Sequence, residues 1–243
     1  MPIDYRTRLY EKYTSNVQKH TGQIDVESCD KWGRFYDISL CGWLPANKEA
    51  AILDVGCGYG RLLRFFSKRG YTNITGLDIS PEQVEFARKI HPKVILGNAL
   101  EFLSAHPDEF DLIVALDIIE HFHKDEVIRF IDVCYQALRS GGRLIIQTPN
   151  ADSPWSLAVR YGDFTHETCF SPRSLEGLMR MCGFTGFEAR EQGPYYVAGV
   201  FSFVRWLLWK LVRFKLLAYN LIETGSAGSN IFSRVFIASG VKQ

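Results

Sequence analysis

The sequence predicts an α/β fold built on a doubly wound, mostly parallel β-sheet. Three observations predict it. Short apolar runs alternate with amphipathic stretches from residue 51 to about 190, as in repeated βα units around a parallel sheet. A glycine-rich turn follows the first apolar run and precedes a helical pattern. The length of 243 residues fits one such domain with additional segments.

Five strands can be placed from the apolar runs, and the stretches between them are helical. The predicted strands are residues 51–55, 73–78, 93–96, 110–116 and 143–148. The helix after the second strand begins with Ser80 as N-cap and Pro81 in its first turn, and Gln83 completes a capping-box pattern. The helix after the fourth strand is expected to end at the glycine pair 141–142, and a later one to span 171–183.

We expect the whole chain, 1–243, to form one domain in four parts. These are an N-terminal helical cap (1–48), a core that carries the glycine turn (49–148), a region beside the core that shapes a second binding site (149–193), and an aromatic, basic segment with the final strand (194–243). The connection 149–170 is long and rich in aromatic, acidic and histidine residues, which is typical of functional loops.

The charge is nearly balanced overall but not along the chain. There are 28 Lys and Arg against 27 Asp and Glu, so no global positive field favours nucleic acid as a partner. Residues 194–243 contain six basic residues and one acidic residue. Six cysteines without a C-x-x-C pair, and an N-terminus without an apolar signal segment, predict a cytoplasmic protein.

The glycine turn has the spacing G-x-G-x-G at Gly56, Gly58 and Gly60. A dinucleotide-binding turn has a third glycine where this chain has Arg61, and no P-loop motif is present in the sequence. Asp54, just before the turn, would repel a pyrophosphate and suits a ligand that carries an amino group. Asp78, at the end of the second strand, is placed to accept hydrogen bonds from two ribose hydroxyls.

These features resemble the class I S-adenosylmethionine-dependent methyltransferases over residues 49–190. The matching motifs, in chain order, are LDVGCGYG, GLDIS, GNALEFL, FDLIVALDIIEHF and LRSGGRLIIQTPN. The resemblance implies a seven-stranded Rossmann-like sheet and S-adenosylmethionine as cofactor. The cofactor-binding residues that it implies are Asp54, Gly56, Cys57, Gly58, Gly60, Asp78, Ile79, Asn98, Ala99, Leu116, Asp117 and His121. Many relatives have aspartate in place of Asn98, which with Ala99 would flank the adenine.

Further stretches are similar to narrower groups within these enzymes. TPNADSP, RYGDFTHE and a later ETG resemble a bacterial subgroup associated with surface-polysaccharide biosynthesis, and more loosely the ubiquinone O-methyltransferases. This resemblance implies methyl transfer to an oxygen of a glycan-type or phosphorylated glycan-precursor acceptor. The alternatives are a membrane-associated quinone or lipid O-methyltransferase and a catalytically silent scaffold that only binds the cofactor.

Methyl transfer to a hydroxyl is helped by a general base, whereas an amine acceptor needs none. The candidates are His166 with Glu167, His121 with Glu120 and Asp117, and His123. We favour His166, because it lies in the connection best placed to shape an acceptor site; its alternative role is a structural histidine. Tyr161 and Glu167 are expected to contact the acceptor. No metal ion is expected, because Glu120, His121 and His123 do not face one ligand from a helix.

The segment 195–219 is aromatic and basic. Arg205, Lys210, Arg213 and Lys215 interrupt its apolar run, so we do not expect it to span a membrane. One alternative is a helix on an anionic membrane surface, which would place the protein at the inner membrane. The other is packing over the sheet or a homodimer contact.

Overall fold

The computed structural model describes residues 5–10 and 26–243. Within them the helices are α1 Tyr5–Tyr10, α2 Val26–Ser39, α3 Arg61–Lys68, α4 Pro81–Arg88, α5 Ala99–Ser104, α6 Lys124–Ala137, α7 Ser156–Arg160, α8 Pro172–Met181 and α9 Gly199–Thr224. The strands are β1 Ile52–Val55, β2 Ile74–Asp78, β3 Val94–Leu96, β4 Phe110–Leu116, β5 Leu138–Pro149, β6 Thr185–Glu191 and β7 Val235–Val241.

Seven strands form one sheet in the order β3-β2-β1-β4-β5-β7-β6. Strands β1 to β5 are parallel, and β7 lies antiparallel between β5 and β6. The predicted α/β fold with a mostly parallel sheet is therefore confirmed. The strand order reverses at β1, between β2 and β4, and the carboxyl ends of strands at such a reversal form the usual binding crevice of this architecture.

Helices cover both faces of the sheet, because alternate side chains of each strand point to opposite faces. In β4, Ile113 and Ala115 pack into a core layer with Phe130 of α6. Leu112 and Val114 pack into the other layer, which contains Phe66 of α3. All six side chains are fully buried, so the strand that leads to the binding crevice is fixed from both sides.

One predicted helix end and one predicted capping box are wrong. Helix α6 ends at Ala137, before the glycine pair, because Leu138 is already extended and pairs with Phe110 in the sheet. The glycines lie within β5, where a Cβ on Gly142 would be 2.8 Å from the carbonyl oxygen of Arg139. Ser80 and Pro81 do begin α4, but the Ser80 side chain makes no capping hydrogen bond and the capping box does not form. The predicted start of the later helix at residue 171 is confirmed, because Ser171 is the N-cap of α8 and its side chain accepts a hydrogen bond from the Ser174 amide.

The connection 149–170 folds back over the carboxyl end of β4. The backbone amides of Glu167 and Thr168 both donate to the carbonyl oxygen of Glu120, at 2.8 and 3.0 Å. Farther back, the side-chain amide of Asn150 donates to the carbonyl oxygens of Ile231 and Ser233. The connection is thus anchored at both ends, and its second half lies against the short 3₁₀ turn Ile119–His121.

Helix α9 joins β6 to β7 and has no buried residue along its 26 residues. At 1.5 Å per residue it is about 39 Å long. Its large exposed apolar side chains are Val200, Phe201, Phe203, Val204, Leu207, Leu208, Leu211, Val212, Phe214, Tyr219, Leu221 and Ile222. In the described part of the chain, no helix combines the length and the apolar character that a membrane span requires.

Candidate active site

The glycine turn joins β1 to α3 and opens toward the carboxyl ends of the strands. The backbone amides of Gly56 and Cys57 donate to the carbonyl oxygen of Leu77, at 2.8 and 3.0 Å, which fixes the turn against β2. Gly56 has φ +68°, a conformation that side chains disfavour, and a Cβ there would lie 3.1 Å from Ile118. Gly60 is the N-cap of α3 with φ +87°. The turn therefore leaves its backbone accessible to a ligand.

Asp78 connects the end of β2 to this turn. One carboxylate oxygen accepts from the Gly58 amide and the other from the Ser80 amide, both at 2.8 Å. Burial raises the pKa of Asp78, and the hydrogen bonds from backbone amides oppose that rise. Each oxygen has further lone pairs, so the carboxylate can still accept from hydroxyl groups of a ligand.

Asp54 is 2% exposed, and one of its carboxylate oxygens has no hydrogen-bond partner among the residues that the structure describes. Burial, followed by the nearby charge of Asp78, raises the pKa of Asp54 well above its ordinary value. An unpaired buried carboxylate is costly, which makes Asp54 a place where a ligand cation would be stabilising.

A cavity of about 1010 Å³ runs from the glycine turn to the connection 149–170. Twelve of the predicted site residues line it: Asp54, Gly56, Cys57, Gly58, Asp78, Ile79, Asn98, Ala99, Leu116, Asp117, His121 and His166. Gly60 lies outside the lining and shapes the start of α3 instead. The structure thus brings most of the predicted residues together around one space.

Asn98 occupies the end of the cavity beyond Asp78. Its side-chain oxygen accepts from the amides of Leu100 and Glu101, at 2.9 and 3.3 Å, and so caps α5. That oxygen is occupied by the helix, so the group that remains to face a ligand is the amide nitrogen, a donor. Aspartate at this position, as in many relatives, has only acceptor oxygens.

Two helices that precede β1 supply part of the lining and were not identified from the sequence. Arg6 and Tyr10 come from α1, and Trp32, Phe35 and Tyr36 come from α2. The only sequence signal was the aromatic composition of residues 1–48, which did not indicate which side chains face a ligand. The aromatic side chains give the cavity part of its wall, and the Trp32 ring lies 4.5 Å from the guanidinium of Arg61, directly after the glycine turn.

The Arg6 guanidinium donates to Glu126 at 2.7 Å, at the start of α6. This ion pair connects α1 to the part of the fold that follows β4. Burial raises the pKa of Tyr10 to about 12, so its hydroxyl stays protonated at neutral pH.

The two histidines of the cavity lie side by side. The ring centroids of His121 and His166 are 4.8 Å apart. Nδ1 of His166 lies 3.1 Å from the carbonyl oxygen of Val159, and Nδ1 of His121 lies 2.9 Å from the Thr165 hydroxyl. Burial, followed by the charge of His166, lowers the pKa of His121 to about 4, so its ring is neutral at pH 7.

Three other predicted residues are not in this space. His123 is more than half exposed, and its Nδ1 lies 3.5 Å from a carboxylate oxygen of Glu167. Glu167 also accepts from the Tyr5 hydroxyl and is not part of the cavity lining. Tyr161 is 74% exposed and likewise outside it. Their predicted contacts with an acceptor stay predictions.

A family model described as a methyltransferase domain matches residues 35–189, more than half of the chain. The chain belongs to this methyltransferase family. The match begins within α2 and ends within β6, so it includes the glycine turn, Asp78 and both cavity histidines. The family and the class of enzyme predicted from the sequence are thereby confirmed.

Individual relatives of this methyltransferase domain share part of its sequence. The ubiquinone biosynthesis O-methyltransferase of Xylella fastidiosa is 32% identical over 107 residues, which is 42% of either chain. The mitochondrial ubiquinone biosynthesis O-methyltransferase of Rattus norvegicus is 30% identical over 154 residues, covering 54% of this chain and 43% of the rat protein. The alignments span less than half the length of each relative.

The fold of the methyltransferase domain is also found in solved structures. A SAM-dependent methyltransferase from Archaeoglobus fulgidus aligns with a TM-score of 0.65 and 19% identity, covering 98% of this chain and all of the other. At this identity the likeness concerns the fold. It supports the seven-stranded sheet and adds nothing about the acceptor.

Proposed function

We propose that the chain transfers a methyl group from S-adenosylmethionine to a hydroxyl oxygen of a small acceptor. When bound, this cofactor supplies a methyl group activated by its sulfonium centre. The observation that carries the proposal is the pair of buried carboxylates, Asp54 and Asp78, on either side of the glycine turn. Both line a cavity that also contains His166.

The residues present fit the cofactor. The carboxylate oxygen of Asp54 that has no protein partner in the described structure suits the ammonium group of the methionine part. Asp78, held by Gly58 and Ser80, would accept from the ribose hydroxyls. The adenine would then lie beside Asn98 and Ala99. A pyrophosphate would fit this arrangement poorly, because an ionised Asp54 would repel it.

The acceptor would be held at the other end of the cavity. Catalysis there depends mainly on positioning the hydroxyl oxygen and excluding water. The hydroxyl must also lose its proton, and His166 is the residue proposed to assist this loss. Its Nδ1 faces a carbonyl oxygen and so carries the ring proton, which leaves Nε2 unprotonated.

For the acceptor class, we favour a quinone-type or lipid-type molecule over a glycan. Trp32, Phe35 and Tyr36 line the same cavity and offer an aromatic surface suited to a ring with an apolar attachment. The names of the ubiquinone relatives agree with such an acceptor. The glycan-type acceptor inferred from the sequence stays a prediction without an observation of its own.

Helix α9 supports a lipid-linked acceptor, since we infer that it lies on an anionic membrane surface. The helix contains Arg205, Lys210, Arg213 and Lys215 but a single acid, Glu223, and Arg213 is paired with Glu191 of β6. Packing of two copies of the helix against each other would bring like charges together, and they would repel. The acidic headgroups of a membrane would instead attract these cations. Trp209 and Arg213 tie one edge of α9 to Glu191, so the remaining surface is available to lipid.

The function is tested by incubating the protein with methyl-labelled S-adenosylmethionine and two acceptor sets. One contains phenolic quinone precursors in vesicles of phosphatidylglycerol, and the other contains sugar nucleotides. Labelled phenolic ether supports the proposal, and labelled sugar supports the glycan alternative instead. Cofactor binding without transfer to any acceptor indicates the catalytically silent scaffold.

A further inference from the structure

A cluster of possible metal ligands lies in the cavity beside the proposed acceptor end. Glu120, His121 and His166 each offer one ligand atom, and these atoms all lie within 4.8 Å of one another. Glu120 and His121 belong to the turn after β4, and His166 comes from the connection 149–170. The cluster forms because the amides of Glu167 and Thr168 bind the Glu120 carbonyl oxygen.

Both histidines are oriented as metal-binding histidines usually are. Nδ1 of His166 lies 3.1 Å from the carbonyl oxygen of Val159, so Nδ1 carries the proton. Nδ1 of His121 lies 3.2 Å from the carbonyl oxygen of Thr165 and 2.9 Å from its hydroxyl, which itself donates to Asp163. These bonds fix the tautomer and leave an unprotonated Nε2 on each ring.

Glu120 provides the independent observation that points to a ligand. Its side chain is 1% exposed, and one carboxylate oxygen accepts from the Thr148 hydroxyl at 3.1 Å. The other oxygen is buried and has no hydrogen-bond partner in the described part of the chain. A buried carboxylate oxygen without a partner is costly, and it calls for a cation or an ordered water.

We propose that Glu120, His121 and His166 bind a divalent first-row transition-metal ion, such as Mn²⁺, Fe²⁺ or Zn²⁺. Two imidazole nitrogens and one carboxylate oxygen favour these ions over Mg²⁺ and Ca²⁺, which prefer oxygen ligands alone. Three protein ligands leave coordination positions open toward the cavity. Those positions suit an oxygen of the acceptor.

No metal ion was predicted from the sequence, because Glu120, His121 and His123 do not face one ligand; the proposed site has His166 in place of His123. His123 is mostly exposed and lies beside Glu167, outside the cluster. The third ligand is His166, far along the chain, and sequence spacing gives no sign of a contact that depends on how the connection 149–170 folds.

A cation at this site deepens the proposed function and rests on it for its catalytic part. A bound divalent ion would lower the pKa of the acceptor hydroxyl, so its proton could leave to water. The electron pair left on oxygen would form the bond to the methyl carbon, while the methyl–sulfur bond breaks and its electron pair stays on sulfur. His166 would then assist the loss of the proton as a ligand of the ion, which replaces its predicted role as a general base.

The binding test uses Mn²⁺ as the probe and needs no acceptor. Full-length protein freed of metal with a chelator is titrated with MnCl₂ and followed by calorimetry and by the decrease of the free Mn²⁺ electron paramagnetic resonance signal. We expect one site per chain. Glu120→Gln, His121→Ala and His166→Ala should each weaken binding at least tenfold. Circular dichroism of each variant verifies folding, and Glu120→Gln preserves side-chain volume.

His123→Asn is the matched control, because it removes a neighbouring imidazole outside the cluster and keeps a side chain that can cap α6. It should bind Mn²⁺ as the wild type does. Absence of saturable binding, or equal affinity in all four variants, overturns the proposal.

Activity separates this proposal from the proposed function. Loss of methyl transfer after chelation, restored by Mn²⁺, supports both. If Mn²⁺ binds at these residues but no acceptor is methylated, the metal site is supported and the proposed function is contradicted. If the chelator leaves the rate of methyl transfer unchanged and Mn²⁺ does not bind, the proposed function is supported and the metal site is contradicted.

Discussion

A carboxylate oxygen of Asp78 accepts a hydrogen bond from the Gly58 amide at 2.8 Å, which ties the end of β2 to the turn after β1. The other oxygen accepts from Ser80, at the start of α4. One side chain thereby orders two loops on the same edge of the sheet. Because both loops border the cavity, this relationship shapes the proposed cofactor site before a ligand arrives.

Replacing Asp78 should weaken cofactor binding. We expect Asp78→Ala to reduce the affinity for S-adenosylmethionine by about 1 to 3 kcal/mol, because the ribose loses its acceptor and the turn loses the Gly58 bond. Isothermal titration calorimetry measures this change. Glu85→Gln is the matched control, since Glu85 is an exposed acid on α4 outside the cavity. Equal affinity of Asp78→Ala and wild type would remove Asp78 from the cofactor site.

Asp54 should make the ligand-free protein less stable as pH rises. Burial raises its pKa, so the folded chain binds this proton more tightly than the unfolded chain. The free energy of unfolding therefore falls as pH rises from the ordinary aspartate pKa, about 3.9, toward the raised value. Urea unfolding of Asp54→Asn between pH 5 and 8 should show a smaller decrease than wild type; parallel curves would contradict this.

Asp54 should make the affinity for the cofactor increase with pH, which is opposite to its effect on the free energy of unfolding. An ionised Asp54 attracts the ammonium group, so the affinity for S-adenosylmethionine should rise with pH over the range in which Asp54 loses its proton. Calorimetry at several pH values should find this rise in wild type and lose it in Asp54→Asn. If the variant retains the trend, the ammonium group binds elsewhere.

His166 should matter for turnover and little for cofactor affinity. We expect His166→Ala to lower the rate of methyl transfer about 100-fold or more, because the acceptor hydroxyl loses the group that assists its deprotonation. The dissociation constant of S-adenosylmethionine should stay within about threefold of wild type, a change below 1 kcal/mol. Radiometric assay and calorimetry give the two values. Unchanged turnover would exclude His166 from the reaction.

Phe201 and Phe214 should carry membrane binding by α9. They are 79% and 70% exposed, whereas Trp206 and Trp209 lie against the body of the protein and line a groove beside Glu191. The double substitution of Phe201 and Phe214 by Ser should reduce co-sedimentation with phosphatidylglycerol vesicles several-fold, and added salt should reduce it in wild type.

Met181→Ser is the control for this experiment, because Met181 is an exposed apolar side chain on α8, away from α9. It should bind vesicles as wild type does. A different result would contradict membrane binding: the protein does not bind vesicles, it sediments as a dimer, and the double substitution dissociates that dimer. The exposed face of α9 would then contact a second copy of the chain instead of lipid.

The glycine turn and its two carboxylates could be predicted from the sequence, because they depend on local sequence pattern and on the order of the strands. Asp54, Gly56, Gly58 and Asp78 lie at or just beyond the carboxyl ends of two adjacent parallel strands, and the topology of such strands brings these ends together. The end of α6 could not be predicted, because the extension of Leu138 depends on pairing with a strand far away in the chain.

The acceptor end was harder to predict because it depends on tertiary contacts. The side chains of α1 and α2 reach the cavity only through the packing of the segment before β1, and composition does not specify direction. Tyr161 is near His166 in the chain yet is 74% exposed, because α7 ends at Arg160 and the irregular stretch that follows determines where His166 lies. The meeting of His121 with His166 depends on backbone bonds to Glu120.

The most direct measurement is a crystal structure of the protein grown with S-adenosylhomocysteine, the demethylated cofactor. We expect its ammonium group within hydrogen-bond distance of Asp54, both ribose hydroxyls on Asp78, and its sulfur pointing toward the cluster of His121 and His166. A ligand bound away from the glycine turn, or one whose ribose makes no contact with Asp78, would contradict this expectation.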